Sequence, residues 1–253
     1  SGVDFNRCGV PLLEIVTDPD IHSADEAYAY LTELKQILQY LDVSDCNMEE
    51  GALRAEPNIS VRPKGTTTLG TKTEVKNLGS FSGAHKAIQY EIARQIQVLN
   101  EGGKIVQETR GWDEERGVTF SQRAKESAHD YRYFPEHDLV PIVVDEAWEQ
   151  RIRESLPELP AVRRHRMVNV YGLSAYDAGV LTMSRAMADY YEAVAKVADP
   201  KKAANWIMGD LQALIVEEKG EIEAIKLSPE ALAAMINLIE DGTISGKIAK
   251  EVL

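Results

Sequence analysis

The sequence predicts an α+β fold, an antiparallel sheet with helices over residues 1–155, followed by an all-α domain over residues 156–253. Three observations carry this. Short β-rich pieces alternate with two long amphipathic helical patterns before residue 150. The stretch "LPELP" (156–160) then punctuates the chain, and beyond it no strand pattern returns.

Ser23 and Glu26 have the spacing of a capping box, and Ala27, Tyr30, Leu31, Leu34, Ile37, Leu38 and Leu41 follow at helical spacing, which predicts a helix over 23–41. A second is predicted from about 83 to 101, with Ala84, Ala87, Ile88, Ile92, Ile96 and Leu99 inward and Gly102–Gly103 stopping it. Strands are predicted at 58–63, 71–78, 103–112 and 117–123, the last two joined by a turn at "DEERG". "PLLEIV" (11–16), an apolar run bounded by Pro11 and "TDPD", reads as a further buried or half-buried strand carrying one carboxylate, Glu14. In the C-terminal part, Ser184, the pair Asp199–Pro200 and the pair Ser228–Pro229 each mark a helix start, and Gly242 closes the last of these helices.

The chain has 253 residues, 44% hydrophobic and 27% charged, an ordinary globular composition. Two cysteines, Cys8 and Cys46, with no Cys/His cluster, support neither a disulfide framework nor a zinc site and favour a reducing cytoplasm. No apolar run approaches the about 20 residues of a membrane span, so a soluble protein without membrane contact is expected. The opening "SGVDFNRCGVP" has no helix cap or leader, and a fragment beginning inside a domain is expected. A net charge of −13 argues against general polyanion binding, which rests on Lys and Arg. The deficit is uneven: residues 1–155 hold 17 Lys and Arg against 27 Asp and Glu, residues 156–253 hold 11 against 14. Any nucleic-acid contact is therefore local, and the C-terminal part, with Arg163, Arg164, Arg166, Lys201, Lys202, Lys247 and Lys250, is the less hostile to phosphate.

Strand parity supplies the chemistry. Arg54, Glu56, Asn58, Ser60 and Arg62 share one face of their segment; Lys72, Glu74 and Lys76 share one face of theirs. Such interleaving suits a solvated sheet face, and it equally suits a site that needs hard oxygen ligands for Mg²⁺ and cations for phosphoryl oxygens. A second dense patch, 123–139, interleaves Arg123, Lys125, His129, Asp130, Arg132, His137 and Asp138 with aromatics and reads as a loop, its histidines as hydrogen-bonding residues. Phosphate-binding loops of the Walker type, dinucleotide glycine patterns and the G-x-S-x-G elbow do not occur.

The blocks "VDFNRCGVPLLEIV" (3–16), "VSDCNMEEGALR" (43–54), "GTKTEVKNLGSF" (70–81), "ETRGWDE" (108–114), "HDYRYFPEHDL" (129–139) and "LIEDGTISGKIAKEV" (238–252) closely resemble the B subunits of aspartyl/glutamyl-tRNA amidotransferases, in order along the whole chain. The resemblance implies a catalytic cradle like that of glutamine synthetase, followed by a helical domain. It implies Mg-ATP-dependent phosphorylation of the side-chain carboxylate of misacylated Glu-tRNA or Asp-tRNA, then amidation by ammonia channelled from an amidase-type A subunit; a small C subunit completes the heterotrimer. By residue, it makes Glu14 a metal ligand and places Glu56 at the metal site, although "RAEPN" stands where the family usually reads R-C-D-A-N. Arg54, Lys72, Lys76, Arg123 and Arg132 are the candidates for phosphate or carboxylate contact, and Arg163, Arg164, Lys201, Lys202 and Lys247 for tRNA contact. The family's N-terminal metal-ligand motifs and its tail domain are not in this sequence, so a piece that does not catalyse alone is expected. Two other readings stay open: a carboxylate–amine ligase acting on a free metabolite, and a non-catalytic tRNA-binding or assembly subunit.

Overall fold

The computed structural model describes residues 2, 9–124, 137–218, 220 and 222–253. They fall into two compact units, one of residues 1–31 and 55–125, the other of residues 32–54 and 126–253; the division lies within the first helix.

In the first unit, helix α1 (Ala24–Tyr40) begins beside Ser23, whose hydroxyl accepts from the Glu26 amide at 3.1 Å, while the Glu26 carboxylate accepts from the His22 amide at 2.6 Å. This is the reciprocal cap expected, with the return bond one residue early. Strands β1 (Asn58–Ile59), β2 (Thr73–Lys76), β3 (Glu108–Asp113) and β4 (Val118–Ala124) form one sheet in the order β1-β2-β3-β4. The expected strand at 103–112 is shorter, and Val106 before it is exposed.

The sheet is mixed, not antiparallel throughout: β1–β2 and β3–β4 are antiparallel, but β2–β3 is parallel. The reason lies in the connection. Helix α2 (Phe81–Asn100) occupies the link between β2 and β3, and such a crossover returns the chain running in the same direction. Ser80 caps α2 by accepting from the Gly83 amide at 2.9 Å, and Gly102, at φ 80°, turns the chain away after it.

α2 covers one sheet face, where Ala84, Ala87 and Ile88 meet Ile59, Val75, Leu78 and Trp112. The inward stripe differs from the one expected: Glu91 and Gln95 continue it, fully buried, whereas Ile96 and Leu99 are exposed. The sheet beneath that end of α2 presents Thr73, Arg110 and Thr119, so hydrogen-bonding groups there match polar side chains and not apolar ones.

The expected strand at 11–16 is absent. These residues have no regular structure, and Val10, Leu12, Leu13, Ile15 and Val16 are all exposed. An apolar run becomes a strand only where a ladder accepts it, and none of the four strands pairs with this one. Glu14 is therefore exposed, with no burial to offset.

The second unit is helical, and among the described residues its first complete helix after residue 126 precedes "LPELP". Helices α3 (Glu146–Ser155), α4 (Pro160–Tyr171), α5 (Ala175–Leu181), α6 (Arg185–Ala195), α7 (Pro200–Trp206), α8 (Gln212–Glu218), α9 (Pro229–Glu240) and α10 (Gly246–Val252) follow in order. Ser184, Asp199 and Ser228 cap α6, α7 and α9 through their side chains, as their spacing predicts. Between α7 and α8 a π-helical turn, Ile207–Leu211, interrupts what reads in sequence as one helix. Tyr191, Leu181, Ile207, Leu211, Leu232 and Ile236 lie at the centre of the core. The C-terminal half of α1 belongs to this unit: Tyr40, 1% exposed, donates to the Thr182 carbonyl at 2.7 Å.

Candidate functional site

The sheet face opposite α2 is where the alternating charges gather. Cross-strand register places Asn58 opposite Glu74 and, in the parallel pair, Glu74 opposite Thr109 and Lys76 opposite Gly111. Since side chains of paired residues share a face, Asn58, Glu74, Lys76 and Thr109 stand together. Glu56 joins them. Lys76 Nζ lies 2.8 Å from Glu56 Oε2 and 3.6 Å from Glu74 Oε1, and the Thr109 hydroxyl donates to Glu74 Oε2 at 2.9 Å. Gly111 keeps this face open to its neighbours: a Cβ there would lie 2.6 Å from Phe120 Cζ and 2.6 Å from Gln122 Nε2.

Lys76 is the centre of this group. Its hydrogen bond to Glu56, with the nearby charge of Glu56 and Glu74, raises its pKa above that of a free lysine despite partial burial, so it is an ammonium throughout the physiological range. It stands about one-third exposed, as does Glu56, while Glu74 is more enclosed. A partly exposed lysine between two carboxylates can exchange one of them for an incoming anion, and the carboxylate it releases gains negative potential.

Behind this face lies a second polar layer, between the sheet and α2. Glu91, 0% exposed, accepts from Arg94 Nη2 at 2.5 Å, from Gln95 Nε2 at 3.0 Å and from the Thr119 hydroxyl at 2.9 Å. Arg110 Nε lies 3.6 Å from Glu91 Oε2, the oxygen that accepts from Thr119, and donates to Thr119 Oγ1, while Arg110 Nη1 donates to Glu108 at 2.6 Å. Burial raises the pKa of Glu91, but the hydrogen bonds from Arg94, Gln95 and Thr119 outweigh it and hold the carboxyl below its ordinary range. Sequence reasoning missed this layer. The signal was present: Ala84, Ala87, Ile88, Glu91 and Gln95 keep the spacing of one helix face, whose apolar stripe turns polar at its C-terminal end.

Of the residues picked out in sequence, Glu56 and Lys76 are brought together. Lys72 is exposed on the strand approach, Arg54 is exposed in the other unit, and Glu14 is exposed in the segment before α1. Arg123 lies in β4 opposite Thr109. Arg132, with most of the 123–139 loop, lies outside the described residues.

In the helical unit, Arg163 is 6% exposed and spent on Glu192, at 3.0 Å, and Asp189, at 2.6 Å, which leaves it no open side for a phosphate. Arg164 forks onto both oxygens of Glu33 at 2.8 and 2.9 Å and onto Gln36, again an internal partner. Lys202 pairs with Glu240, and Lys250 pairs with Asp210 at 2.7 Å and lies 5.9 Å over the Trp206 ring. Lys201 and Lys247 are exposed cations outside these ion pairs.

Among the described residues, no group of three or more His, Cys, Asp or Glu side chains could hold a metal ion. The open face offers two carboxylates, Glu56 and Glu74, both already balanced by Lys76, and alone it is not a metal site. Among the described residues, no helix is long and apolar enough to cross a membrane.

Comparison with known proteins adds the family. A model described as the GatB/GatE catalytic domain matches residues 1–150, and one described as the GatB domain matches residues 189–253. Curated relatives match almost end to end. The B subunit of the aspartyl/glutamyl-tRNA(Asn/Gln) amidotransferase of Carboxydothermus hydrogenoformans is 56% identical over 251 residues, covering 99% of this chain and 52% of that protein. The protein of the same name from Moorella thermoacetica is 56% identical over 252 residues, covering 99% and 53%. The chain spans about half the length of the curated relatives it matches. The face around Lys76 lies inside the part matched by the catalytic-domain model.

Proposed function

This chain belongs to the GatB/GatE family, and from that membership we propose that it supplies part of the carboxylate-activating face of a glutamine-dependent tRNA amidotransferase. In this reading an oxygen of the side-chain carboxylate of a misacylated Glu-tRNA or Asp-tRNA attacks the γ-phosphorus of ATP, and ADP leaves. Ammonia, drawn from glutamine by a partner amidase subunit, then attacks the activated carbonyl carbon; phosphate leaves and the amide of Gln-tRNA or Asn-tRNA remains. A small third subunit, a cytoplasmic setting and a cradle related to the glutamine synthetase fold belong to the same proposal.

The observation that carries it is the Glu56–Lys76–Glu74–Thr109 group on the sheet face opposite α2, inside the segment that matches the catalytic domain. Lys76 is placed to meet anionic oxygens as they approach, releasing a carboxylate to do so. Mg²⁺ with ATP is expected of such a reaction. The described residues do not complete a metal site, so in this reading further ligands come from the share of the relatives' length that this chain does not span, and Glu14 joins them only once its segment is paired. Lys201 and Lys247 are the cations in the second unit best placed to meet tRNA phosphates, because Arg163 and Arg164 are already bonded internally.

The test is tRNA-dependent ATP hydrolysis by the full-length protein in its complex, comparing wild type with Lys76→Met and Glu14→Gln. A fall of about two decades, roughly 3 kcal/mol of transition-state stabilisation, with tRNA affinity intact supports the reading. Unchanged turnover in both variants overturns it and leaves a solvated sheet face on a tRNA-binding or assembly subunit.

A further inference from the structure

β2 turns Glu74 and Lys76 outward and Thr73 and Val75 inward. A slip of β2 by one residue would turn every side chain to the wrong face, but a slip by two keeps the alternation intact. The strands are too short to resist it by ladder bonds alone: β1 has two residues and β2 four. Yet a two-residue slip would set Lys76 where Glu74 now stands, opposite Asn58 and beside Thr109, and so reverse the charge at that point of the open face.

Gln95 is the group in contact with both strands. The two hydrogens of its Nε2 are divided among three acceptors: the Ile59 carbonyl of β1 and Glu91 Oε1, each at 3.0 Å, and the Thr73 hydroxyl of β2, which at 3.3 Å shares one of them. Gln95 is 0% exposed, and its own Oε1 has no hydrogen-bond partner. Burying a carboxamide with an unpaired oxygen is unfavourable, and an apolar residue of similar size would avoid it. The amide is held against that cost by the same charge cluster, Glu91 with Arg94 and Arg110, that braces α2 on β3 and β4. In the slipped pairing Val75 would oppose Ile59 and offer a methyl group where Thr73 offers a hydroxyl.

We propose that Gln95, held by Glu91, is a positioning residue that sets the β1–β2 register by reading the Thr73 hydroxyl, and thereby puts Glu74 rather than a lysine opposite Asn58 on the open face. The register is independent of any activity; only the value of that register to catalysis rests on the function proposed above. Asn77, whose side chain donates to the Trp112 carbonyl at 3.1 Å, opposes the same slip, because the slip would drive its amide into the apolar place of Val75.

The test is disulfide trapping in the full chain, with Cys8 and Cys46 replaced by Ala, using the cysteine pairs Asn58→Cys with Glu74→Cys and Asn58→Cys with Lys76→Cys. In the parent chain and in Asn77→Ala the 58–74 bridge is expected to form and the 58–76 bridge to stay at background. Adding Gln95→Met to Asn77→Ala makes 58–76 a major product. If 58–74 stays the sole bridge in that folded double variant, the proposal is wrong and Gln95 only packs. Should the double variant fail to fold, Thr73 decides: in the Asn77→Ala background with Gln95 intact, Thr73→Ser is expected to keep the 58–74 bridge and Thr73→Val to admit 58–76, and identical trapping in the two overturns the proposal. A purely stabilising role lowers the melting temperature without changing which bridge forms.

Discussion

Glu91→Gln isolates the charge buried beneath the sheet. Removing one partner of a buried ion pair typically costs about 3–5 kcal/mol, because the other charge is left unpaired. Here the cost is smaller. Glutamine keeps the shape and one acceptor oxygen, Arg94 is 21% exposed and can turn to water, and Arg110 retains Glu108 at 2.6 Å. About 2 kcal/mol at neutral pH is the expected loss, a displacement of the urea midpoint by about 1 M or more for a unit of this size. The assay is urea denaturation followed by the fluorescence of Trp112, 3% exposed in this unit's core, in a background with Trp148→Phe and Trp206→Phe. The pH dependence supplies the sign. The carboxyl of Glu91 in the folded protein lies below its ordinary value, so its contribution is present above the unfolded value and lost as pH falls through the folded one. The glutamine variant does not titrate there, so the gap between the two proteins begins to narrow as pH falls below the unfolded glutamate value and closes once pH is below the folded one. A gap that is absent at neutral pH, or that stays constant into acid, would refute the assignment of Glu91 as a paired, ionised buried charge.

Other outcomes follow from the same geometry. Lys76→Met leaves Glu56 and Glu74 without their shared cation, yet the pair is partly exposed, so stability changes by only about 0.5 kcal/mol while ATP hydrolysis by the complex falls; equal loss of both would make Lys76 merely structural. Gly70→Ala drives a Cβ into the Val61 carbonyl oxygen, a backbone atom that cannot swing away, and costs about 2 kcal/mol in thermal unfolding; a neutral effect would show that residues 61 and 70 are not held this closely. Burial pushes Tyr40 and Tyr190 up to about 12 and Tyr191 higher still. These raised values stabilise the helical unit fully below the ordinary tyrosine range and are lost as pH rises through them; spectrophotometric titration should therefore show late tyrosines ionising with loss of helix, and ordinary titration of all ten would contradict their burial. The chain by itself should release no phosphate in response to Glu-tRNA, and measurable release would sink the reading of an incomplete site.

Much of the architecture was legible along the chain because the signals are local. Ser23, Ser184, Asp199 and Ser228 announce their helices through groups one turn away, and the "DEERG" turn marks the β3–β4 hairpin. Parity put Glu56 with Asn58 on one face of their segment and Glu74 with Lys76 on one face of theirs, because alternation is a property of the strand itself; pairing of β1 with β2 joined the two groups. The tertiary structure decided what depends on partners distant in sequence. It made β2 and β3 parallel through the α2 crossover, and it left 11–16 unpaired although its pattern reads as a strand. It turned Glu91 and Gln95 inward and Ile96 outward, since the sheet beneath offers threonines and an arginine. It also drew Arg163 and Arg164 into internal ion pairs, where sequence shows only exposed-looking basic residues. Spacing along the chain determines which side chains share a face; what that face meets, and hence whether a charge is spent inside or free for a ligand, is settled only when distant segments pack and each buried polar group must find a partner.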